Sequence, residues 1–93
     1  MKLTGIRYSA AFRRDYKRVR RRHFDTKLLK DVIDKIMRGE PLPANCHDHI
    51  LVGDYAGSHE CHIAPDWLLV YDIIEEELVL QVLRTGTHSD IFG

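Results

Sequence analysis

Apolar positions near the start of the chain repeat first as in a strand and then as in a helix. Leu3 to Tyr8 is a short segment with apolar side chains on one face, which predicts a strand. Ser9 is a suitable N-cap for a helix that runs to about Arg22. The apolar stripe of this helix, at positions i, i+4 and i+7, consists of Phe12, Tyr16 and Val19. Because the stripe is narrow, we expect one edge of the helix to be docked and the rest to face solvent.

A second helix follows with a broader apolar stripe. Asp25 or Thr26 can cap its start, and Gly39 suits the left-handed position just after its end. Apolar residues recur at spacings of one and four, and the predicted buried stripe consists of Leu28, Leu29, Val32, Ile33, Ile36 and Met37. We expect the two helices to form a hairpin that covers one face of a sheet.

The second half of the chain has short apolar segments of strand length, separated by residues that form loops and turns. A loop with two prolines covers residues 40–48, and Pro65-Asp66 forms a tight corner between two strands. The predicted strands are His49 to Val52, His59 to Ile63, Trp67 to Ile73 and Leu78 to Leu83. Because the last strand is almost continuously apolar, we expect it to be central and buried on both faces.

The order of elements, which is strand, helix, helix and antiparallel meander, predicts an α+β fold. In this fold an N-terminal strand and a two-helix hairpin pack on an antiparallel sheet. Ninety-three residues suit one modest hydrophobic core, so we expect a single domain that spans residues 1–93.

The formal net charge of zero conceals two oppositely charged halves. Residues 1–38 contain 13 Lys and Arg against four acidic side chains, whereas residues 39–93 contain one basic side chain against ten acidic ones. This asymmetry indicates a polyanionic partner for the basic half, although two helices with ordinary solvated faces would also account for it. The candidate polyanion-binding patch consists of Arg13, Arg14, Lys17, Arg18, Arg20, Arg21 and Arg22.

Three sequence features bear on the expected cellular compartment: membrane-spanning runs, a signal peptide and a disulfide framework. No apolar run approaches the roughly 18–20 residues that span a bilayer, and the N-terminus has no apolar core of a signal peptide. Two cysteines, Cys46 and Cys61, do not make a disulfide framework. We therefore expect a cytoplasmic protein with no membrane partner.

Side chains suited to acid–base chemistry lie at or near the ends of the predicted strands. They are His49, His62, Asp66, Arg84 and His88. Cleavage of RNA by its own 2′-hydroxyl needs a base, a cation for the crowded phosphorane and an acid for the leaving 5′-oxygen. Histidine, with an unperturbed pKa of about 6.5, can supply either proton-transfer group near neutral pH. Trp67 and Phe92 could stack on unpaired bases.

A zinc site is the alternative interpretation of the same region. The residue types suited to zinc are Cys46, His47, His49, Cys61 and His62. Their spacing does not match the paired cysteine frameworks of structural zinc sites, so we predict no metal and no cofactor.

Three blocks of sequence resemble the YafQ-type toxins of the RelE/ParE superfamily, and the resemblance extends over essentially the whole chain. The blocks are His47-Asp48-His49 followed by Leu51 and Gly53, the segment from His62 to Tyr71, and Arg84-Thr85-Gly86-Thr87-His88 with terminal Phe92-Gly93. The resemblance implies a helical hairpin on a twisted antiparallel sheet. It also implies a small endoribonuclease of a bacterial type II toxin–antitoxin system, which cuts mRNA in the ribosomal A site without a metal.

The same resemblance implies partners and residue roles. The partners are the ribosome with its mRNA and a cognate ribbon–helix–helix antitoxin of the DinJ type, through which alone operator DNA is bound. The catalytic acid–base groups would be His49, His62, Asp66 and His88. The substrate-binding residues would be Arg84, which suits the scissile phosphate, together with Trp67 and Phe92, which match positions that support the site or contact the substrate.

Within this set the individual roles are hypotheses. Asp66 or His49 would be the base, His88 the acid, and His62 a positioning group or phosphate ligand. A non-catalytic toxin similar to ParE, which binds a protein target such as gyrase, is the alternative function. The three histidines and Asp66 argue against it, because a gyrase binder has no need for them.

Overall fold

Five strands and three α-helices form the fold, with three short 3₁₀ turns in the connections, and a computed structural model describes all 93 residues. The strands are β1 (Gly5–Tyr8), β2 (His49–Ile50), β3 (His59–Ala64), β4 (Trp67–Ile74) and β5 (Val79–Gly86). The helices are α1 (Ala10–Arg21), α2 (Thr26–Arg38) and α3 (His88–Phe92). No helix combines the length and the apolar character that crossing a membrane requires. The predicted α+β class is confirmed.

The strands form one sheet in the order β1-β5-β4-β3-β2. Every neighbouring pair is antiparallel except β1 and β5, which are parallel. The expected antiparallel arrangement is confirmed for the meander, and the N-terminal strand adds to its edge in the parallel direction. The chain leaves β1 through both helices, starts the meander at the far edge and returns, so that its last strand arrives beside its first.

The predicted helix ends are confirmed by their caps. The Ser9 hydroxyl accepts a hydrogen bond from the Phe12 amide at 2.9 Å, and the Asp25 carboxylate accepts one from the Lys27 amide at 3.1 Å. Gly39 adopts a left-handed conformation with φ of 73° and ends α2. These local hydrogen bonds satisfy amide groups that the helices leave unpaired.

Both faces of the sheet are covered, and the cluster of buried hydrophobic residues is larger on one face than on the other. The helix face buries Phe12, Val19, Leu29, Ile33 and Ile36 of the helices against Cys61, Trp67, Leu69, Tyr71, Leu80 and Val82 of the strands. The outer face has a smaller cluster in which Leu68 and Val70 of β4 pack with Ile91 of α3. The outer face is thus the thinner side, and α3 is the element that covers it.

Three predicted boundaries or burials differ from the structure. The first five residues of β4 are all buried, whereas burial alternates along β5, so β4 and not β5 is the central strand covered on both faces. Strand β2 has only two residues instead of the four predicted from His49 to Val52. Leu28 was expected in the buried stripe of α2 but is exposed. The buried residues of this helix are Leu29, Ile33 and Ile36.

The buried side chain of Asp15 in α1 accepts a backbone hydrogen bond at the edge of β5. Strand β1 ends at Tyr8, opposite Val82, and β5 continues beyond it. There the Thr85 amide donates to Asp15 at 3.1 Å, and Arg84 donates to the same carboxylate at 2.6 and 3.1 Å. The Asp15 side chain is 3% exposed. These donors compensate for its burial, because a buried charge without partners would be costly.

Arg84 extends this contact to two further elements. Its Nη1 donates to the Tyr55 hydroxyl at 3.1 Å, and its Nη2 donates to the Asp90 carbonyl at 3.2 Å. The hydrogen bonds to Asp15 raise the pKa of Arg84 above its ordinary value, so the guanidinium is permanently charged. One side chain therefore joins α1, β5, α3 and the 53–55 turn.

We predict that Asp15→Ala lowers the free energy of unfolding by about 3–5 kcal/mol, because it leaves the Arg84 charge and the Thr85 amide unpaired. Urea unfolding followed by circular dichroism measures this change. The matched control is Arg7→Ala, which breaks the surface ion pair between Arg7 and Glu77 at 2.8 Å. The control should cost at most about 1 kcal/mol. Equal losses in the two variants would contradict the prediction.

Candidate active site

The β3–β4 hairpin carries the first part of the candidate site. Its corner is Pro65-Asp66, and in the strand before it His62 lies opposite Leu68 and Glu60 lies opposite Val70. Leu68 and Val70 belong to the outer cluster, so Glu60 and His62 point to the outer face of the sheet. The hairpin thus presents one acid and one imidazole on the side away from the two long helices.

Helix α3 brings His88 to this hairpin. Thr87 caps the helix, which makes His88 its first residue. The His88 ring Nδ1 lies 2.8 Å from Asp66 Oδ1, and the His88 backbone amide donates to the same oxygen at 3.1 Å. Hydrogen bonding from the His88 ring lowers the pKa of Asp66, so this carboxylate is ionised and Nδ1 carries the shared proton. The Nε2 atom of His88 is then left for a substrate.

Three imidazole rings and one phenyl ring form a row on the outer face. The ring centroids of His47 and His62 are 5.6 Å apart, and those of His62 and His88 are 5.9 Å apart. The Phe92 ring follows at 6.5 Å from His88 and is 46% exposed. The Phe92 ring can therefore stack on a base that lies next to the imidazoles.

Glu60 is a member of the site that the sequence analysis missed. It is only 5% exposed, and its Oε1 atom lies 3.4 Å from His49 Nε2. One atom each of Glu60, His62 and His88 lie within 4.8 Å of one another. The signal was present in the sequence, because Glu60 and His62 are two residues apart in a strand and so share a face.

The structure therefore brings the four candidate acid–base residues together, and the carboxylates of Asp66 and Glu60 connect them. His62 and His88 face each other, Asp66 holds His88, and His49 joins the group through Glu60. The His49 Nδ1 atom contacts the His47 carbonyl at 2.6 Å, which requires a proton on Nδ1 and leaves Nε2 as the proton-accepting atom.

Trp67 does not line the site. Its ring is 3% exposed on the helix face, where Nε1 donates to the Thr85 hydroxyl at 2.8 Å and the ring packs edge-on against Phe24. The expectation that Trp67 stacks on a base is therefore wrong for this structure. Alternation along β4 places Trp67 opposite the site face, and its role is to fix the end of β5.

Arg84 is largely committed to other protein groups. Of its five N–H donors, Asp15, Tyr55 and the Asp90 carbonyl occupy four. Its side chain is 19% exposed. Arg84 can therefore offer a phosphate one N–H group, and its main contacts are those that hold the site residues in place.

The cationic run of α1 divides into two groups. Arg18 lies 3.7 Å from both Asp15 and Asp90, and Arg22 lies 2.7 Å from Asp90. The remaining members are exposed and form no ion pair: Arg13, Arg14, Lys17, Arg20 and Arg21. Two of the seven predicted patch residues thus contact acids of the protein itself.

The predicted zinc alternative does not assemble. Cys46 and Cys61 are buried in the core of the helix face, and burial raises the pKa of the Cys61 thiol. His49 and His62 lie on the other face, beside Glu60. The residues that could hold a metal are instead Glu60, His62 and His88, which are ligand types of transition metals.

Several proteins that this chain resembles in sequence and fold are described as toxins. The chain is 37% identical over 89 residues to the mRNA interferase toxin YafQ of Escherichia coli strain K12, covering 95% of each protein. It is 39% identical to a metal-bound toxin from Helicobacter pylori, with a TM-score of 0.88 and coverage of 95% and 98%. It is 36% identical to the toxin of the E. coli DinJ–YafQ toxin–antitoxin complex, with a TM-score of 0.87 and coverage of 98% and 99%.

The family model described as YafQ, a bacterial toxin of type II toxin–antitoxin systems, matches residues 4–93. This range includes all five strands, all three helices and every residue of the candidate site. The resemblance seen in the three sequence blocks is therefore confirmed, and the chain belongs to the YafQ family of type II toxins.

Proposed function

We propose that this protein is a ribosome-dependent endoribonuclease that cuts mRNA in the ribosomal A site without a metal ion. The contact between Asp66 and His88, beside the His62 ring, is the observation that carries the proposal. It leaves an imidazole with one nitrogen held by a carboxylate and the other free, the arrangement of an acid–base catalyst. The name of the E. coli relative, mRNA interferase toxin, supports the same activity.

The reaction requires three movements of protons and bonds. A base takes the proton of the 2′-hydroxyl, the 2′-oxygen bonds to phosphorus, and the bond from phosphorus to the 5′-oxygen breaks while an acid protonates that oxygen. The products are a 2′,3′-cyclic phosphate and a free 5′-hydroxyl. Two separated proton-transfer groups on opposite sides of the phosphate are therefore needed.

We assign the acid to His88 and favour His49 as the base. Both N–H groups of His88 that face Asp66 bond to one of its oxygens, so Asp66 serves to orient the acid. The contact of His49 Nδ1 with the His47 carbonyl leaves Nε2 to take the proton of the 2′-hydroxyl, and this Nε2 atom lies 3.4 Å from Glu60 Oε1. His62, whose ring centroid lies 5.9 Å from that of His88, can donate to the phosphate.

The surrounding residues complete the substrate site. Phe92, nearly half-exposed at the end of the imidazole row, is placed to stack on a base that flanks the cut. Arg84 adds positive charge close to the site, although most of its donors serve the fold. These features suit unpaired RNA, whose bases are free to stack on exposed rings.

A metal would compete with this mechanism. Glu60, His62 and His88 provide the donor types of a transition-metal site, and a solved relative is described as metal-bound. A bound ion would supply a Lewis acid, yet it would also take the imidazole nitrogens that we assign to proton transfer and phosphate binding. We therefore propose that the residues act as acid–base groups in the metal-free protein.

The partners follow from the family and from the exposed cations. A relative is solved as the DinJ–YafQ complex, which supports a cognate antitoxin of the DinJ type, through which operator DNA would be contacted. The exposed cations of α1 suit ribosomal RNA in the cytoplasm, and an acidic antitoxin segment could cover them.

We predict that His88→Ala lowers the rate of cleavage by about 10²–10⁴-fold, because the leaving 5′-oxygen loses its acid. Primer extension on a translated mRNA, with and without ribosomes, measures cleavage. The stability of the fold should change little, because the His88 side chain is more than half exposed. Full cleavage by the variant would refute the assignment.

A gyrase supercoiling assay on the same preparations tests the ParE-like alternative.

We predict that a chelator leaves cleavage intact and that added Zn²⁺ inhibits it, since the ion would occupy the His62 and His88 nitrogens. Cleavage is measured after dialysis against excess chelator and then across a zinc titration. Glu60→Gln should weaken the inhibition by removing one donor. Loss of cleavage on chelation, with recovery on adding metal back, would show that the metal-free mechanism is wrong.

We predict that the charge reversals Arg14→Glu and Arg21→Glu together weaken ribosome association and reduce its salt dependence. Co-sedimentation with ribosomes at several salt concentrations measures the effect. The control pair Arg7→Glu and Arg38→Glu changes the net charge equally at sites outside the patch. Equal effects of the two pairs would show that only the total charge matters.

A further inference from the structure

Asp90 makes an unusually complete set of polar contacts for a residue of a short terminal helix. Its carboxylate accepts from the Thr87 amide at 3.0 Å and from Arg22 Nη1 at 2.7 Å, and Arg18 lies 3.7 Å away. Its backbone carbonyl accepts from Arg84 at 3.2 Å. Its side chain is 11% exposed, so a residue two positions from His88 is fixed from several directions.

Helix α3 needs such fixing because it has only five residues. Isolated helices of this length are unstable in water, so tertiary contacts must hold its backbone. Ile91 supplies the buried apolar contact, and Asp90 supplies the polar ones together with the Thr87 cap. Without the Asp90 contacts, the exposed His88 side chain would be held mainly by the exposed Asp66.

Gly86 makes room for this arrangement. Its φ is 148°, and a Cβ atom placed there would lie 2.9 Å from the Asp90 carboxylate. The end of β5 and the start of α3 are therefore built to let Asp90 approach the backbone closely. The approach brings the carboxylate within reach of Arg22, the residue that caps the end of α1.

We infer that Asp90 is the positioning residue for His88, and that Arg22, supported by Arg18, serves to hold Asp90. The contacts join α1 to α3 through charges that neutralise each other. His88 thereby receives a defined start of helix from one side and the Asp66 contact from the other. The consequence for catalysis rests on the proposed nuclease function.

Asp90 is charged in the folded protein. Burial raises its pKa, but the hydrogen bonds from Thr87 and Arg22 lower it by more, and the resulting pKa lies below the ordinary value for aspartate. The ion pair with Arg22 is thus present at neutral pH, under the conditions in which the protein would cut RNA.

The test uses three variants, which are Asp90→Asn, Arg22→Ala and the double variant. The matched control is Arg7→Ala, which breaks a surface ion pair far along the chain from the site. We expect about a 10²-fold loss in single-turnover cleavage at saturating ribosomes, because a small misplacement of His88 is enough for that loss. The double variant should be no slower than the slower single variant. Arg22→Lys should restore most of the rate, and Arg7→Ala should lose none.

A second readout is independent of cleavage. The His88 Nδ1 proton shared with Asp66 should give a nuclear magnetic resonance signal in the wild type and in Arg7→Ala, and it should be lost or exchange-broadened in Asp90→Asn and Arg22→Ala. Circular dichroism and thermal unfolding confirm that each variant is folded. If the wild type does not cut RNA, the proposed function fails, and this signal alone decides the role of Asp90.

The inference is overturned by an unchanged His88 signal in folded Asp90→Asn. It is also overturned if Arg22→Ala weakens ribosome co-sedimentation but keeps the full rate at saturation, since Arg22 would then be an RNA ligand. Additive losses in the double variant would show that the two residues act separately, which likewise contradicts it.

Discussion

The buried contact of Asp15 with Arg84 and the Thr85 amide determines how α1, β5 and α3 meet. Strand β1 is too short to pair with the whole of β5, and an unpaired backbone at that edge would be costly in a buried position. Asp15 of α1 accepts the free amide and holds Arg84 in one orientation. From that orientation Arg84 reaches the Tyr55 hydroxyl and the Asp90 carbonyl. The position of α3, and with it that of His88, therefore depends on a carboxylate that α1 places at the edge of β5.

Most of the scaffold could be predicted from the sequence, because it depends on local signals. The caps at Ser9 and Asp25, the end at Gly39 and the Pro65-Asp66 corner all act through neighbouring residues. The choice between β4 and β5 as the central strand could not, since an apolar run shows that a segment is buried but not which neighbours bury it. The role of Asp15 was not predicted either, although Asp15 lies three residues after Phe12 and four before Val19 and so shares their buried face of α1.

The residues of the candidate site were predicted by type, and their arrangement was not. His62, Asp66 and His88 have side chains that suit proton transfer wherever they lie, and the structure adds that they converge. Glu60 was missed because a carboxylate inside a predicted strand has the pattern of a surface position. Trp67 was misplaced because its ring is amphipathic: the same indole that stacks on bases elsewhere is buried here with its N–H group bonded to Thr85.

The seven cations between Arg13 and Arg22 also show how a helix separates neighbours in sequence. Successive side chains are turned by about 100° around the axis, so adjacent arginines face different surroundings. Arg21 points to solvent, whereas Arg22 meets the carboxylate of Asp90. A charge count along the sequence therefore includes two cations that already pair with acids of the protein itself. Alanine scanning of this run should yield two phenotypes that follow helical phase instead of sequence order.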